Sequence, residues 1–253
     1  MDRVSLLQKA SSFTVFYGFG REEELRAFDI AVIEPAGHQP DHIALLRSSG
    51  TLVIAYVSFM EVRPEDPYVS LLEERDWLRI GNRPVYNEAY GNRLADLRSG
   101  RWAGLLHERL GRLLLQEGYD GVFIDTIGDV EWPSIPLSVK QEQIKAAVDL
   151  IKGVKSAFPG HLLIQNNGIT ELILRTAPWI DAICWENPLF MEPHLAWSRN
   201  VANRLIGLNG KKGPLRTLLL YEAGAGAQRS MPVAMRYARA HGWLVSQSAQ
   251  HYL

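Results

Sequence analysis

The chain has 253 residues, 47% of them apolar and 22% charged, and a single cysteine. This size and apolar content exclude a small disulfide-held module and a disordered chain, because roughly 70% of the unfolded surface can be buried at such a length. Twenty-seven Lys and Arg against twenty-eight Asp and Glu leave a formal charge of -1, which gives no overall attraction for nucleic acid or an anionic membrane.

The amino terminus, MDRVSLLQKASSF, carries charges on both sides of a two-leucine patch and does not read as a secretory signal. No run reaches the roughly 18 apolar residues of a membrane span. Short β-branched and aromatic runs then recur: TVFYG (14–18), FDIAVIEP (28–35), TLVIAYVSF (51–59) and GYDGVFIDT (118–126). Four more follow at HLLIQNN (161–167), IDAICWEN (180–187), LRTLLLYEA (215–223) and GWLVSQS (242–248). Most are continuous apolar runs bounded by polar residues, as in parallel strands covered by helices.

Helical patterns lie between them. WAGLLHERLGRLLLQ (102–116) and VKQEQIKAAVDLIKGVKSAF (139–158) have three- and four-residue apolar spacing. PVAMRYARAHG (232–242) reads as a helix opened by its proline and closed by its glycine. The alternation predicts an α/β chain forming one domain over 1–253, a (β/α)8 TIM barrel, with a doubly wound sheet as the alternative. GFGR (18–21) lacks the rest of a nucleotide-binding loop and is assigned to a turn. Residues 60–100, an extended connection between the third and fourth strands, are rich in proline, glycine and charge. They read as a cap or substrate-facing excursion within the barrel.

Barrel chemistry sits at the carboxyl ends of the strands. Here those ends carry Glu34, Asp125, Asn166 and Asn167, Glu186 and Glu222. An acid emerging from an apolar strand must be paired, hydrogen-bonded, metal-bound or protonated. Asp125 follows GVFI and Glu186 follows AICW, so the two form a candidate carboxyl pair of the kind glycoside hydrolysis needs, with helix capping and buried polar networks as the competing explanations. Asp120 lies five residues before Asp125, roughly 16 Å away along an extended strand, and reads as a structural cap at the other end.

With these motifs the chain resembles the endo-α-1,4-polygalactosaminidases, glycoside hydrolase family 114. GYDGVFIDT carries the resemblance furthest, with the tryptophan-led helix before it, AYVSFMEVRP (55–64), LIQNNG (163–168), AICWEN (182–187) and LLLYEA (218–223). The resemblance implies an exported, endo-acting, retaining hydrolase of α-linked galactosamine-containing polysaccharide. It implies Asp125 as nucleophile, Glu186 as general acid/base, and a polysaccharide or oligosaccharide as substrate, with the oligomeric state left open. The chain departs from the family pattern in presenting Glu34 where aspartate is common and in the bulky tryptophan before Glu186.

The remaining candidates weigh binding against packing. Tyr17, Tyr56 and Tyr221 sit near strand ends and offer sugar-stacking faces or hydroxyls, or else fill the core. Glu34, Glu61 and Glu222 offer charge-assisted hydrogen bonds to amino groups, or else cap loops. Asn166 and Asn167, adjacent on an extended strand, point to opposite sides, so one of them faces the cleft. The two-acid chemistry calls for no metal or cofactor. Among seven histidines, His38 and His42 share a helix spacing with no third ligand to make them a metal site, and metal-dependent hydrolysis is the runner-up chemistry. A barrel that binds carbohydrate without cleaving it is the alternative outside enzymes. Cys184, in an apolar context, reads as a buried thiol.

Overall fold

A computed structural model describes residues 2–210, 213–248 and 252. Each of the eight apolar runs forms a strand: β1 (Phe13–Phe16), β2 (Ile30–Ile33), β3 (Leu52–Ser58), β4 (Gly121–Asp125), β5 (Leu162–Asn166), β6 (Ala182–Glu186), β7 (Arg216–Glu222) and β8 (Leu244–Ser248). They pair in chain order as one parallel sheet. The sheet curls into a nearly closed barrel, with Ser248 Oγ donating to the carbonyl of Val15 across the seam at 3.1 Å. Around it lie α1 (Arg3–Lys9), α2 (Glu22–Leu25), α3 (Pro40–Ser48), α4 (Gly100–Gly111), α5 (Leu137–Ala157), α6 (Ile173–Thr176), α7 (Leu195–Ile206) and α8 (Ala225–His241). The architecture is the (β/α)8 barrel.

Strand alternation sorts the apolar residues into two cores. Phe13 and Val15, Ile30 and Val32, Leu52 and Ile54, Phe123, Leu162 and Ile164, Ala182 and Cys184, and Leu218 and Leu220 fill the barrel interior. The residues between them, such as Ile33, Val53, Val122, Ile124, Leu163, Ile183 and Leu219, join the helices in the outer layer. Leu7 and Ala10 of the leading helix segment belong to the inner cluster, so α1 plugs the amino-terminal end of the barrel. Asp120 ties that end together, accepting from Arg3 Nε at 2.8 Å and from the Val53 amide at 3.1 Å and pairing with Arg47 at 3.2 Å. It is far from the mouth, as its place in the strand implies.

Two local differences from the sequence reading have physical causes. α8 starts at Ala225, seven residues before the proline expected to open it, and Pro232 lies inside the helix. The intervening residues are mostly good helix formers, and their packed amphipathic pattern outweighs the one hydrogen bond that proline removes. α4 opens on Ser99, whose Oγ accepts from the Trp102 amide at 3.1 Å, and runs on as a π-turn over Arg112–Gln116.

Residues 60–100 hold a small antiparallel sheet (Glu61–Val62, Asn92–Leu94, Tyr86–Asn87), a second hairpin (Arg79–Ile80 with Arg83–Pro84) and two 3-10 turns. Met60, Val62, Trp77, Leu78, Leu94 and Ala95 bury against the outer layer of the barrel in one continuous cluster. Two polar anchors hold the segment. Trp102 Nε1 donates to the Phe59 carbonyl at 2.8 Å, and the wholly buried Gln143 of α5 donates to Asp96 at 2.7 Å while accepting from the Leu97 amide at 3.0 Å.

Gly121 opens β4 directly against Leu162 of β5, where an added Cβ would sit 2.4 Å from the Leu162 carbonyl oxygen. The Leu162 Cβ would lie at 2.6 Å, and both atoms are fixed by the strand backbone and cannot move aside. Gly121→Ala is expected to destabilise by about 1–3 kcal/mol. Gly153→Ala, on α5 with open space around it, is expected to be neutral or to stabilise by up to about 1 kcal/mol. Urea unfolding of both variants checks the contrast, which disappears if the close approach between the strands is not real.

Candidate active site

The inner alternation that packs the barrel also delivers its mouth. Two residues beyond Val15, Val32, Ile54, Phe123, Ile164, Cys184 and Leu220 stand Tyr17, Glu34, Tyr56, Asp125, Asn166, Glu186 and Glu222. The inward row therefore turns from apolar to polar within one step along each strand. Around the resulting cavity of about 430 Å³ stand Tyr17, Tyr56, Glu61, Asp125, Asn166 and Glu186, with Asp129, Glu222 and Tyr252 among the remaining lining residues.

Asn166 links the two central acids. Its Nδ2 donates to Asp125 Oδ1 at 2.8 Å and to Glu186 Oε2 at 3.0 Å. Tyr56 donates to the other oxygen of Asp125 at 2.7 Å, and the Tyr252 hydroxyl bonds to the other oxygen of Glu186. Burial pushes both carboxyls above their ordinary range. The donors Asn166 and Tyr56 oppose it at Asp125, whereas at Glu186 the Asp125 charge adds to burial while Tyr252 and Asn166 oppose it. Burial and the neighbouring acids also hold the Tyr17 and Tyr56 hydroxyls protonated. Tyr17 packs its ring against Tyr56 and Tyr252, at centroid distances of 4.7 and 5.3 Å.

The backbone at the strand ends is fixed by a repeated device. Thr126, Asn167 and Asn187, each just past the last residue of β4, β5 or β6, adopt left-handed φ of 59°, 54° and 48°. Each side chain then accepts a backbone N–H from a neighbouring segment. Thr126 takes Met60 and Glu61 at 2.9 and 3.1 Å, Asn167 takes Glu186 at 3.2 Å, and Asn187 takes Glu222 at 2.9 Å. Asn and Asp tolerate this region best among side-chain-bearing residues, and their short oxygens reach the neighbour. Gln165, buried on the outer face, donates to the Asn167 carbonyl at 2.8 Å and accepts from Thr176 at 2.6 Å, securing the turn from below.

A second acid pair stands beside the first. Glu61 accepts from Asn87 on one carboxyl oxygen and from Asn92 of the same 60–100 segment on the other, each at 2.7 Å. Asp129 lies within hydrogen-bonding reach of Glu61. Burial first and the Glu61 charge second push its pKa up to about 9. Asp129 Oδ2 meets no protein donor, so a proton on Asp129 is what turns this carboxyl contact into a hydrogen bond.

The structure brings Tyr17, Glu34, Tyr56, Glu61, Asp125, Asn166, Asn167, Glu186 and Glu222 to the mouth. Glu34 also caps the turn after β2, accepting from Ala36 N at 3.4 Å. Asn166 is the inward member of its pair, and Asn167 acts by holding the Glu186 backbone N–H with its side-chain oxygen. Tyr221 is not brought to the mouth. One position out of phase with Leu220 and Glu222, it points into the outer layer, is 1% exposed, and donates to the Pro188 carbonyl at 3.1 Å. Sequence reasoning missed Asp129, Asn87, Asn92 and Tyr252. The acid four residues after Asp125 was a usable signal for the first of these; the two asparagines depend on how a 40-residue excursion folds back, and Tyr252 comes from beyond the last strand.

The cavity opens at both sides into a groove. Toward β2 and α4 it continues past Arg63, Asp66 and Arg109, and toward β6 and α7 past Trp132, Leu189 and Trp197. Among the described residues no helix is long and apolar enough to cross a membrane.

A (β/α)8 barrel with an open, carboxyl-rich groove across the carboxyl ends of its strands is the architecture of a carbohydrate-cleaving hydrolase. The chain belongs to glycoside-hydrolase family GH114, whose model matches residues 5–187. Among solved structures it is similar to the glycoside hydrolase domain of PelA from Pseudomonas aeruginosa, with TM-score 0.78, 18% identity and 96% of both chains covered. It is also similar to Ega3 from Aspergillus fumigatus, solved with galactosamine, with TM-score 0.65, 12% identity and coverage of 97% and 93%. The α-galactosidase TtGalA from Thermus thermophilus, solved with stachyose, matches with TM-score 0.63 and 15% identity over 97% of this chain and 62% of that one. At such identities the likeness is one of fold. No curated protein matches the sequence.

Because the Asp129 carboxyl is held protonated in the folded protein up to about pH 9, the folded state keeps a proton that the unfolded chain releases near pH 4. Its contribution therefore lowers stability progressively as pH rises from about 4 toward 9. Asp129→Asn keeps the shape and the ability to donate to Glu61 while removing that proton. The variant is expected to melt above the parent at pH 8–9, with the gap narrowing toward pH 5. Melting curves across this range check it, and a pH-independent gap would place the ionisation elsewhere.

Proposed function

We propose that this hydrolase is endo-acting on α-linked, galactosamine-containing polysaccharide and works by retaining double displacement, with Asp125 as nucleophile and Glu186 as general acid/base. The observation that carries the reading is the shared Asn166 amide. Its two N–H bonds diverge by about 120°, so acceptors at these distances lie roughly 5 Å apart, close to the roughly 5–5.5 Å of retaining pairs and short of the 6.5–9.5 Å that admits an inverting water.

The environments support a division of labour. Each acid accepts from two donors on separate oxygens and burial raises both, but at Glu186 the Asp125 charge stands second to burial in favouring a proton, which makes Glu186 the acid of the pair. Glu186 then gives its proton to the glycosidic oxygen as an Asp125 oxygen attacks the anomeric carbon and the bond to the leaving sugar breaks. In the second step Glu186 takes a proton from water as that water attacks the same carbon and releases Asp125.

The substrate class rests on charge and shape. Glu34, Glu61, Asp125, Asp129, Glu186 and Glu222 crowd one mouth, a surrounding that favours a cationic amino sugar over a neutral or acidic one. The galactosamine bound in the Ega3 structure agrees with this. A groove open at both ends accommodates an internal stretch of polymer. We assign residues 60–100 to one wall of that groove, as part of a single barrel domain, because Tyr90 and Asn92 line the cavity and Asn87 fixes Glu61. Membership of the family supports an exported, polysaccharide-processing role.

Incubation with partially deacetylated α-1,4-linked galactosamine oligosaccharides, followed by product mass and by the anomeric configuration of the first product, tests the reading. Internal cleavage with the α-anomer formed first is expected; β-anomer formed first would remove Asp125 from the nucleophile's role. Glu186→Gln should lower turnover by roughly 10²–10⁴-fold and recover in part with an activated leaving group. Asp125→Asn should form no glycosyl-enzyme with either substrate.

The rate should fall at low pH as Asp125 is protonated and at high pH as Glu186 loses its proton. Asn166→Ala removes a donor that lowers both pKa values, so both limbs are expected to move upward. Limbs that stay in place, with only the maximum rate reduced, would show that Asn166 does not set the charge of the pair.

A further inference from the structure

His38 and His42 lack a third metal ligand in the sequence around them, and the fold brings one from another strand's loop. Glu22 opens α2, after β1, and faces the turn that follows β2. Its Oε1 lies 3.4 Å from His42 Nδ1 and 3.8 Å from His38 Nδ1. One donor atom from each of the three residues falls within 4.8 Å of the other two.

His38 is the independent sign of a ligand. It is 5% exposed, and neither ring nitrogen makes a hydrogen bond. Buried imidazoles rarely go without partners, and the Glu22 carboxylate, 3.4 Å from the exposed His42, stays 3.8 Å from His38, beyond hydrogen-bond reach. The Gly18 carbonyl lies beside the His38 ring without closing to hydrogen-bond geometry. A backbone carbonyl in that place is the usual acceptor for the free N–H of a metal-bound histidine.

We infer that Glu22, His38 and His42 form a binding site for a divalent first-row transition ion, Zn²⁺ by its ligand chemistry, with water in the fourth position. Two nitrogens and one carboxylate oxygen match the zinc preference, and bonds of about 2.0–2.1 Å in a tetrahedron place ligand atoms roughly 3.4 Å apart. The Glu22–His42 edge already has that length, and the Glu22–His38 edge needs to close only slightly. The competing bond from Gln39 N to His42 Nδ1 is long, at 3.4 Å, and readily given up. His42 is half exposed, which leaves a path for the ion and room for water.

Such an ion would clip the β1–α2 loop to the β2–α3 loop. The two already touch, since Phe19 covers Gly37 so closely that a Cβ there would lie 2.4 Å from the ring. Tyr17 and Glu34 stand at the bases of these loops, so the clip would stiffen one rim of the groove. The chemistry of the two central acids is not routed through it.

Protein stripped by chelation and dialysed is titrated with Zn²⁺ in a non-coordinating buffer by calorimetry, and with Co²⁺ by visible absorption. Saturation at one Zn²⁺ per chain, a raised melting temperature and the intense absorption bands of tetrahedral Co²⁺ are expected. Glu22→Gln and His42→Ala, both away from the core, should each weaken binding at least about tenfold, and His38→Ala should do the same if it folds. His107→Ala should change nothing. No saturable binding, or binding that survives Glu22→Gln and His42→Ala but is lost in Glu186→Gln, would overturn the site; the latter result would place the ion among the central acids.

Discussion

One neutral side chain gives two acids a reason to approach each other. Asn166 offers two hydrogens from a single nitrogen, and Asp125 and Glu186 each take one. An aspartate in its place would add a third negative charge to a buried cluster, and an apolar residue would leave both acids short of a donor. The arrangement works only because β5 lies between β4 and β6 and ends inward at the same height as its neighbours. Barrel order and strand phase thus become electrostatics at the mouth. The turn residues just beyond keep that phase from drifting, because Asn167 and Asn187 lock each strand end to the next.

The 60–100 excursion extends the same logic outward. Its apolar residues serve the outer layer of the barrel, so its polar ones are free to face the groove. Asn87 and Asn92 each donate to Glu61, and the charge on Glu61 helps to keep a proton on Asp129. Two pairs of acids therefore sit side by side, each with at least one member pushed toward the protonated form by burial and by its neighbour. Without that proton sharing, the mutual repulsion and desolvation of the cluster would weigh directly against folding.

The barrel was legible because parallel strands buried on both faces leave continuous apolar runs, and all eight stand where those runs lie. The inward acids were legible for a related reason, since a polar residue ending such a run has few places to go except the mouth. Tyr221 shows the limit of that reasoning. Its strand was recognised, but a single-residue phase decides between cleft and outer core, and a tyrosine is at home in either. The helix boundary at Ala225 was hidden by Pro232, whose ordinary meaning as a helix opener was overridden by packing. Glu61 was found from its strand-end motif, whereas its partners Asn87 and Asn92 depend on antiparallel pairing within a long excursion, which has no period to read. Glu22 was invisible beside His38 and His42 because only the adjacency of two loops brings it there.

The two ends of the groove are chemically unlike. Beyond β6, Trp197 packs edge-on against Trp185 at a centroid distance of 5.9 Å and is half exposed, with Leu189 nearby. Beyond β2, the lining alternates Arg63, Asp66 and Arg109. Under the proposed function, sugars on the first side meet a broad aromatic face, which gains from desolvating their apolar surfaces and tolerates sliding. Sugars on the second side meet opposed charges, which discriminate between free and acetylated amines and fix register. A polymer chain has a direction, and unlike ends let the protein bind it in one direction only. That constraint matters at the centre, because Asp125 and Glu186 can act in their separate roles only if the anomeric carbon faces the first and the leaving oxygen the second.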